Sequence, residues 1–459
     1  MNLWNYIKQH LLVNPNQTVC EEQAKMSYEE LVVFAEAFSY QIHGLKCCAI
    51  MCRSELAAAM ALLGCFAGGV TAVPLSMKYG KIHCKNILEM IKPDAVITDI
   101  NGELQVMNLS EAEYTAPNDH PALIMCTSGT TGTPKGVMLS EENVLTNIKD
   151  ISAYLNIGSN DTILISRPLY HCAVLTGEFL VSLLKGVKIC FYSKEFNPKV
   201  ILDLISENQI TVFCATPTLF NIMARFKRGR SNSSLKTICI SGECMDSETG
   251  MRIAQAFPNA DIYHVYGLTE ASPRISYLPP YLFEHYPDSV GVPLDSVSLK
   301  ILKSDGLVAD INEAGVLWVK GGNIMLGYYN SPGQTSSKMK NGWLCTGDIA
   351  IVDENGLLKI KGRSDDLIIR AGMNIYPQEV EGVLKVDPRV CDVLVYKIDD
   401  PNIGVQIGLK ISGDFSNVDE VKQLCIDVLP SFQVPSVIEL IEKLPQNSSG
   451  KIIRRKNYV

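Results

Sequence analysis

Residues Ile124 to Ser140 read Ile-Met-Cys-Thr-Ser-Gly-Thr-Thr-Gly-Thr-Pro-Lys-Gly-Val-Met-Leu-Ser. The apolar lead-in from Ala122 to Met125 predicts a buried strand. After it, seven of the eight residues from Thr127 to Pro134 are Thr, Ser or Gly, and Lys135 follows. Small hydroxyl residues and glycines present N–H and O–H donors with no bulk to block a polyphosphate. The lysine adds a point charge. These features predict a phosphate-cradling loop, with a polar surface turn as the plain alternative. The Walker pattern is excluded. It needs Gly at position 134 and Ser or Thr at 136, where this chain has Pro134 and Gly136.

Working outward, 459 residues suffice for a large core and predict two or more domains or subdomains. Hydrophobic residues at 47% and charged residues at 20% fit a globular chain. A formal charge of −8 argues against a nucleic-acid partner held by bulk electrostatics. The 15 cysteines show no Cys-x-x-Cys pair, and Cys47, Cys48, Cys52, Cys214 and Cys239 sit in apolar runs. They read as buried thiols in a reducing, cytoplasmic compartment. Met1 to Val13 lacks the apolar core of a signal peptide. Leu56 to Leu75 is free of charge for twenty residues, but Gly68-Gly69 and Pro74 interrupt it. It reads as a buried helix from about Ser54, a turn, and a strand Val70–Pro74, not as a membrane span.

Ser27 with Glu30 three residues on predicts a capping box that opens a helix. Short apolar strands then alternate with helix-length segments: Cys47–Cys52, Ile163–Ser166, Val187–Tyr192, Val212–Ala215, Thr237–Ser241 and Ile262–Val265. This predicts α/β layers with largely parallel sheets. From about Ser289 to Ile360 shorter β segments follow, broken at Gly315, Gly321-Gly322, Asn341-Gly342 and Asn355-Gly356. After Arg363 a smaller, more charged α+β segment runs to the end, with a short hinge near Gly362–Asp366.

Four further constellations carry chemistry. Tyr266-Gly267-Leu268-Thr269-Glu270 follows a predicted strand, at the end where α/β sheets place ligands. Its ring can stack on a base, Thr269 can donate to a phosphate, and Glu270 can hold Mg²⁺; an ordinary strand–turn is the equal alternative. Asp348, after the turn at Gly342, can accept both ribose hydroxyls or simply cap a β-turn. Pro168-Leu169-Tyr170-His171 offers an aromatic and a histidine, with a core-facing His as the alternative. Lys451, on the Ser-Gly loop that ends Leu444-Pro445-Gln446-Asn447-Ser448-Ser449-Gly450, is by itself a solvated charge. The seven His show no metal-ligand spacing.

Thr127 to Gly136 closely resembles the phosphate loop of the adenylate-forming superfamily, which contains acyl- and aryl-CoA ligases, peptide-synthetase adenylation domains and beetle luciferases. The motif at Tyr266–Glu270, the turn Ser241-Gly242-Glu243, the Asp348 motif, the hinge Gly362–Asp366, the loop Arg370–Pro377 and the Lys451 loop match that family in order, over nearly the whole chain. Asn447 stands where Thr is commoner. The resemblance implies a large N-terminal adenylation domain of α/β layers plus a small β-barrel-like subdomain, residues 1–362, and a smaller mobile α+β lid, residues 363–459, pivoting at Asp365. It implies that Thr127, Ser128, Gly129, Thr130, Thr131 and Lys135 hold the phosphates, with Gly242, Glu243, His264, Tyr266, Gly267, Asp348 and Arg363 on the rest of the nucleotide. Glu270 and Thr130 would hold magnesium, and Thr269, Glu270 and Lys451 would act in catalysis. His171, Gly242, Gly267 and Pro273 would line the acid pocket, and Gly372 would stand on the loop of the thiol step.

The implied reaction is activation of a carboxylic acid by MgATP to an acyl-adenylate, with pyrophosphate release, then transfer to a thiol. His171 stands where peptide-synthetase domains for α-amino acids place Asp, which disfavours a free amino acid. CoA is the preferred acceptor, and phosphopantetheine on a separate acyl carrier protein is the alternative. A non-catalytic nucleotide-binding regulator is the reading from another class, and luciferase-type oxygenation is remote. Only about 120 residues precede the phosphate loop, so a trimmed edge of the first subdomain is expected.

Overall fold

The computed structural model describes residues 2–77, 81–110, 112–117, 120–128, 134–227, 234–370, 373–400 and 404–444. Two sheets form the body. One has seven strands in the order Gly327–Tyr328, Pro134–Leu139, Leu123–Ser128, Thr71–Pro74, Cys47–Ile50, Ala95–Ile100 and Glu103–Asn108. The other has nine, ordered Val292–Pro293, Arg274–Leu278, Asp261–Gly267, Thr237–Ile240, Val212–Ala215, Thr162–Ile165, Lys188–Phe191, Thr18–Glu21 and Ala24–Ser27. Their central strands pair in parallel, as the alternation of strands and helices predicts. Parallel strands covered on both faces are apolar throughout, and Cys47–Ile50, Val212–Ala215 and Thr237–Ile240 are buried at every position.

Local signals set the helices. Ser27 and Glu30 form the capping box ahead of helix Tyr28–Gln41. The Tyr28 hydroxyl, buried, donates to the Val187 carbonyl at 2.6 Å and ties this helix to the larger sheet. Ser54 caps Glu55–Gly68, which Gly69 ends in the left-handed conformation at φ 64°. Among the described residues no helix is long and apolar enough to cross a membrane. The first helix, Leu3–Val13, lies beyond what the sequence analysis assigned; it buries Leu3, Trp4, Ile7 and Leu11.

A five-stranded antiparallel sheet follows, built from Val297–Leu302, Gly315–Gly321, Met339–Lys340, Trp343–Val352 and Leu358–Arg363. Asn341 and Gly342 have φ of 52° and 77°, the paired positive values of a two-residue hairpin, and Lys340 faces Trp343 across it. The C-terminal domain has a core of its own, including Ile368, Ile375, Val393, Ile407, Leu409 and Val421. Its sheet joins Val390–Asp400, Gly404–Gly413 and Val437–Leu440, covered by helices Pro377–Leu384 and Val418–Val428. Lys361 pairs with Glu379 at 2.9 Å across its junction with the body.

Candidate active site

The phosphate-loop segment is a hairpin whose two arms the structure describes. Leu123–Ser128 runs antiparallel to Pro134–Leu139, with Thr127 opposite Lys135 and Cys126 opposite Gly136. The second arm is a strand, where the run of Thr, Gly, Pro and Lys predicts a continuing loop. Gly136 is there because the arm passes close to its neighbours. A Cβ would stand 2.8 Å from Ile124 Cγ2 and 3.3 Å from the Tyr329 Cβ. Gly129, Thr130, Thr131, Gly372 and Lys451, with the side chain of Ser128, lie outside the described residues.

Lys135 projects from this arm over the ring of Tyr328, its Nζ 5.2 Å from the centroid. The Tyr328 hydroxyl donates to Glu270 Oε1 at 2.8 Å. Burial, and then the Glu270 carboxylate, push the Tyr328 phenol far above its usual range, so it remains a donor. Tyr328 thus joins two predicted site residues 135 positions apart in the chain. No sequence motif marked it.

Tyr266, Asp348 and Arg363 also come together. Asp348 accepts from the Tyr266 hydroxyl at Oδ2 and from Arg363 Nη1 at Oδ1, the latter at 2.8 Å. Thr346 orients the carboxylate: its Oγ1 accepts from the Asp348 N–H at 3.0 Å and donates to the Leu317 carbonyl at 2.8 Å. Burial and the neighbouring carboxylate raise the Tyr266 phenol well above its ordinary value. The Arg363 charge also reaches Tyr328, which links the two groups.

The turn after Asp261–Gly267 is tightly fixed. A Cβ on Gly267 would lie 1.9 Å from the Pro273 carbonyl oxygen, which accepts from the Leu268 N–H at 2.9 Å. Thr269 opens the 3₁₀ turn Thr269–Ala271, and the Ser272–Pro273 bond is cis. Two other predicted residues, His264 and Glu243, have partners elsewhere in this conformation. His264 is 1 % exposed, with Nδ1 against the Pro287 carbonyl at 3.1 Å, and burial lowers its pKa to about 4. Glu243 accepts from Thr218 N and Oγ1 at 3.2 and 2.7 Å, capping helix Pro217–Lys227. Gly242 has φ 96°, the left-handed region, with Thr216 as its neighbour.

The His171 ring lies tilted at 45° to that of Tyr170 with centroids 4.2 Å apart, and its Nε2 is buried with no partner among the described residues. Burial, with Arg167 beside it, lowers its pKa to about 3. Tyr170 lines a cavity of about 280 Å³ together with Ile50, Arg53, Leu62, Leu75 and Leu175. Asp365, the predicted pivot, is exposed beside Arg363.

Among the described residues no three His, Cys, Asp or Glu gather as a metal site. Magnesium needs less from a protein, one or two carboxylates completed by phosphates and waters. Glu270 has one oxygen on Tyr328, while the described residues offer its second oxygen no partner. The donor set fits that ion.

The fold and these groups define an α/β body with a smaller C-terminal domain and a polar cluster suited to a nucleoside polyphosphate. Residues 7–329 match the family of AMP-binding enzymes, and the chain belongs to that adenylate-forming family. It is 33% identical over 351 residues to the long-chain-fatty-acid–CoA ligase of Haemophilus influenzae, covering 73% of this chain and 61% of that protein. It is 30% identical over 358 residues to a feruloyl-CoA synthase of an Amycolatopsis species, covering 77% and 72%. The chain therefore spans about three fifths to three quarters of the length of these two relatives. Its fold matches o-succinylbenzoate–coenzyme A synthetase of Bacillus subtilis in complex with ATP and magnesium ion, with TM-score 0.85, 27% identity and 98% of each chain covered.

Proposed function

We propose that the protein is an acid–thiol ligase, activating a carboxylic acid with ATP and passing the acyl group to CoA. The observation that carries this reading is the linked cluster Lys135–Tyr328–Glu270 and Tyr266–Asp348–Arg363, which draws four separate sequence motifs to one place. The full-length structural match to a CoA synthetase bound to ATP and magnesium supports it. Free cysteines throughout the described residues support a cytoplasmic setting.

In the first half-reaction a carboxylate oxygen attacks the α-phosphorus of ATP and the bond to pyrophosphate breaks. The phosphate loop with Lys135 orients the triphosphate, Asp348 and Arg363 hold the ribose, and Thr269 meets the α-phosphate. Glu270, with Thr130, holds Mg²⁺, which when bound supplies charge neutralisation to the phosphates. Lys451 stabilises the charge developing between carboxylate and phosphate. In the second, residues 363–459 turn about Asp365, withdraw Lys451 and bring up the Gly372 loop. The thiol sulfur then attacks the acyl carbon and AMP leaves. Positioning and charge neutralisation do the work; no nucleophilic side chain is needed.

The test is ATP-dependent pyrophosphate release over a panel of aryl, short-chain, long-chain and amino acids, with and without CoA. Turnover that needs CoA supports the reading. A single burst that CoA does not relieve points instead to phosphopantetheine on a carrier protein. Lys451→Ala should abolish adenylation and leave thioester formation from supplied acyl-adenylate nearly intact, whereas equal loss in both half-reactions overturns the domain rotation.

A further inference from the structure

Behind His171 lies a buried charge cluster that the ligase chemistry does not use. Arg167 donates through Nη2 to Glu178 Oε1 at 2.5 Å, with side chains 11% and 3% exposed. Glu178 sits on a π-helical turn, Leu175–Leu180, a rare form that is frequent at functional sites. The turn packs on the segment after Glu270, because Thr176 Oγ1 donates to the Ser272 carbonyl at 2.8 Å. Next to it is Arg274, 5% exposed, with Nη2 3.1 Å from where a Gly177 Cβ would stand. Its backbone is pinned by Asn147 and Asn323, and its Nη1 donates to the Tyr154 hydroxyl.

The charges do not balance. Two guanidinium groups share one carboxylate, and among the described residues Arg274 forms no ion pair. Arg167 Nε, Glu178 Oε2 and His171 Nε2 are each buried without a hydrogen-bond partner there. An uncompensated buried cation is costly unless an anion joins it, and of the orphaned atoms Arg167 Nε is a donor that such an anion would satisfy. Burial raises the Glu178 carboxyl, and the two arginines beside it work against that rise. The nearby Cys239 thiol is lowered by its hydrogen bond with Cys214 and then by the Arg274 charge. The position relative to the reaction centre is fixed by chain: Arg167 is four residues before His171, and Arg274 four after Glu270.

We propose that the activated acid carries a second anionic group, held by Arg167 and Arg274 behind His171, so that the substrate class is a short dicarboxylic acid and not an aliphatic chain. The inference rests on the acid-activating reading of the same site. An apolar tail placed here would leave the Arg274 guanidinium without a counter-charge and Arg167 Nε without an acceptor, whereas a distal carboxylate can accept from both.

Length-matched pairs decide it: succinate against butyrate, glutarate against pentanoate, adipate against hexanoate, each as kcat/KM for pyrophosphate release. At least one diacid is expected to exceed its partner tenfold or more. Arg167→Gln should bring that ratio towards one, mainly through the diacid's KM, and Arg167→Lys should restore part of it. Monoacids equal to or better than every diacid overturn the proposal, as does an Arg167→Gln loss that is the same for both classes. If the variants fail to fold, the wild-type ratio alone still decides. A second readout, the rise in Tm on adding each acid, separates this inference from the ligase reading. Diacid-specific stabilisation without pyrophosphate release supports the anion site while the ligase reading falls, and no diacid-specific rise together with no diacid-dependent release overturns the site.

Discussion

Gly267 has no room for a side chain. The added Cβ of Gly267→Ala would meet backbone, the Pro273 carbonyl oxygen at 1.9 Å, and backbone cannot rotate aside as a side-chain tip can. Overpacking of this kind costs about 1–3 kcal/mol and displaces whatever it touches. Here it touches the turn that carries Thr269 and Glu270. The expected result is a lower urea midpoint together with loss of pyrophosphate release; a fully active variant would show that the turn tolerates displacement. Asp348→Asn tests the other half of the cluster. The shape is kept, but Arg363 loses its carboxylate and a ribose loses a charged acceptor. Hydrogen bonds to charged groups contribute about 1.5–3 kcal/mol, so AMP affinity by calorimetry should fall about tenfold to a hundredfold with unchanged circular dichroism.

At the scale of elements, what could be read in the sequence was local. Ser27 with Glu30, Ser54, and Gly69 after Gly68 each act within one helical turn, and each is found as predicted. Ser27→Ala should cost about 1 kcal/mol by urea denaturation, since the Glu30 N–H then loses its acceptor. The strand positions were legible for the same reason, as runs of buried apolar residues between turns. The second arm of the phosphate hairpin was not, because its pattern of Pro134, Lys135 and Gly136 contradicts strand preference and is overridden by pairing to Leu123–Ser128. In the site, the motif residues could be named from the sequence, but their connections could not. Tyr328 reaches Glu270 across 58 positions, and no periodicity encodes that contact. The Arg167–Glu178 pair is nearer in sequence, yet only the π-helical turn brings it into register. His264 and Glu243 show the reverse case: legible by resemblance, but engaged with Pro287 and Thr218 in this conformation.

Across the whole molecule, buried histidines tie stability to pH. His171 and His264 have folded-state pKa values lowered to about 3 and about 4, in both cases chiefly by burial. In the unfolded chain each returns to an ordinary value of about 6.5. The folded state therefore favours the neutral ring, and this contribution is complete above that unfolded value. As the pH falls below it, the unfolded chain takes up protons that the folded chain refuses, and stability is lost progressively until the folded pKa is reached. Each histidine removes about 1.4 kcal/mol per pH unit within that window. Glu178 works in the opposite direction, because its raised carboxyl gains a proton on the folded side as the solution becomes acidic. Between pH 7 and pH 5 the two histidines together remove about 4 kcal/mol, and the Glu178 carboxyl offsets part of that loss. Urea midpoints measured at half-unit steps over that range should fall steadily. His264→Asn, whose amide N–H overlays Nδ1 and can donate to the Pro287 carbonyl, should flatten the fall by about one proton's worth, or 1.4 kcal/mol per pH unit. An unchanged slope in that variant would show that His264 takes up its proton equally in both states and would overturn the link between its burial and the pH dependence.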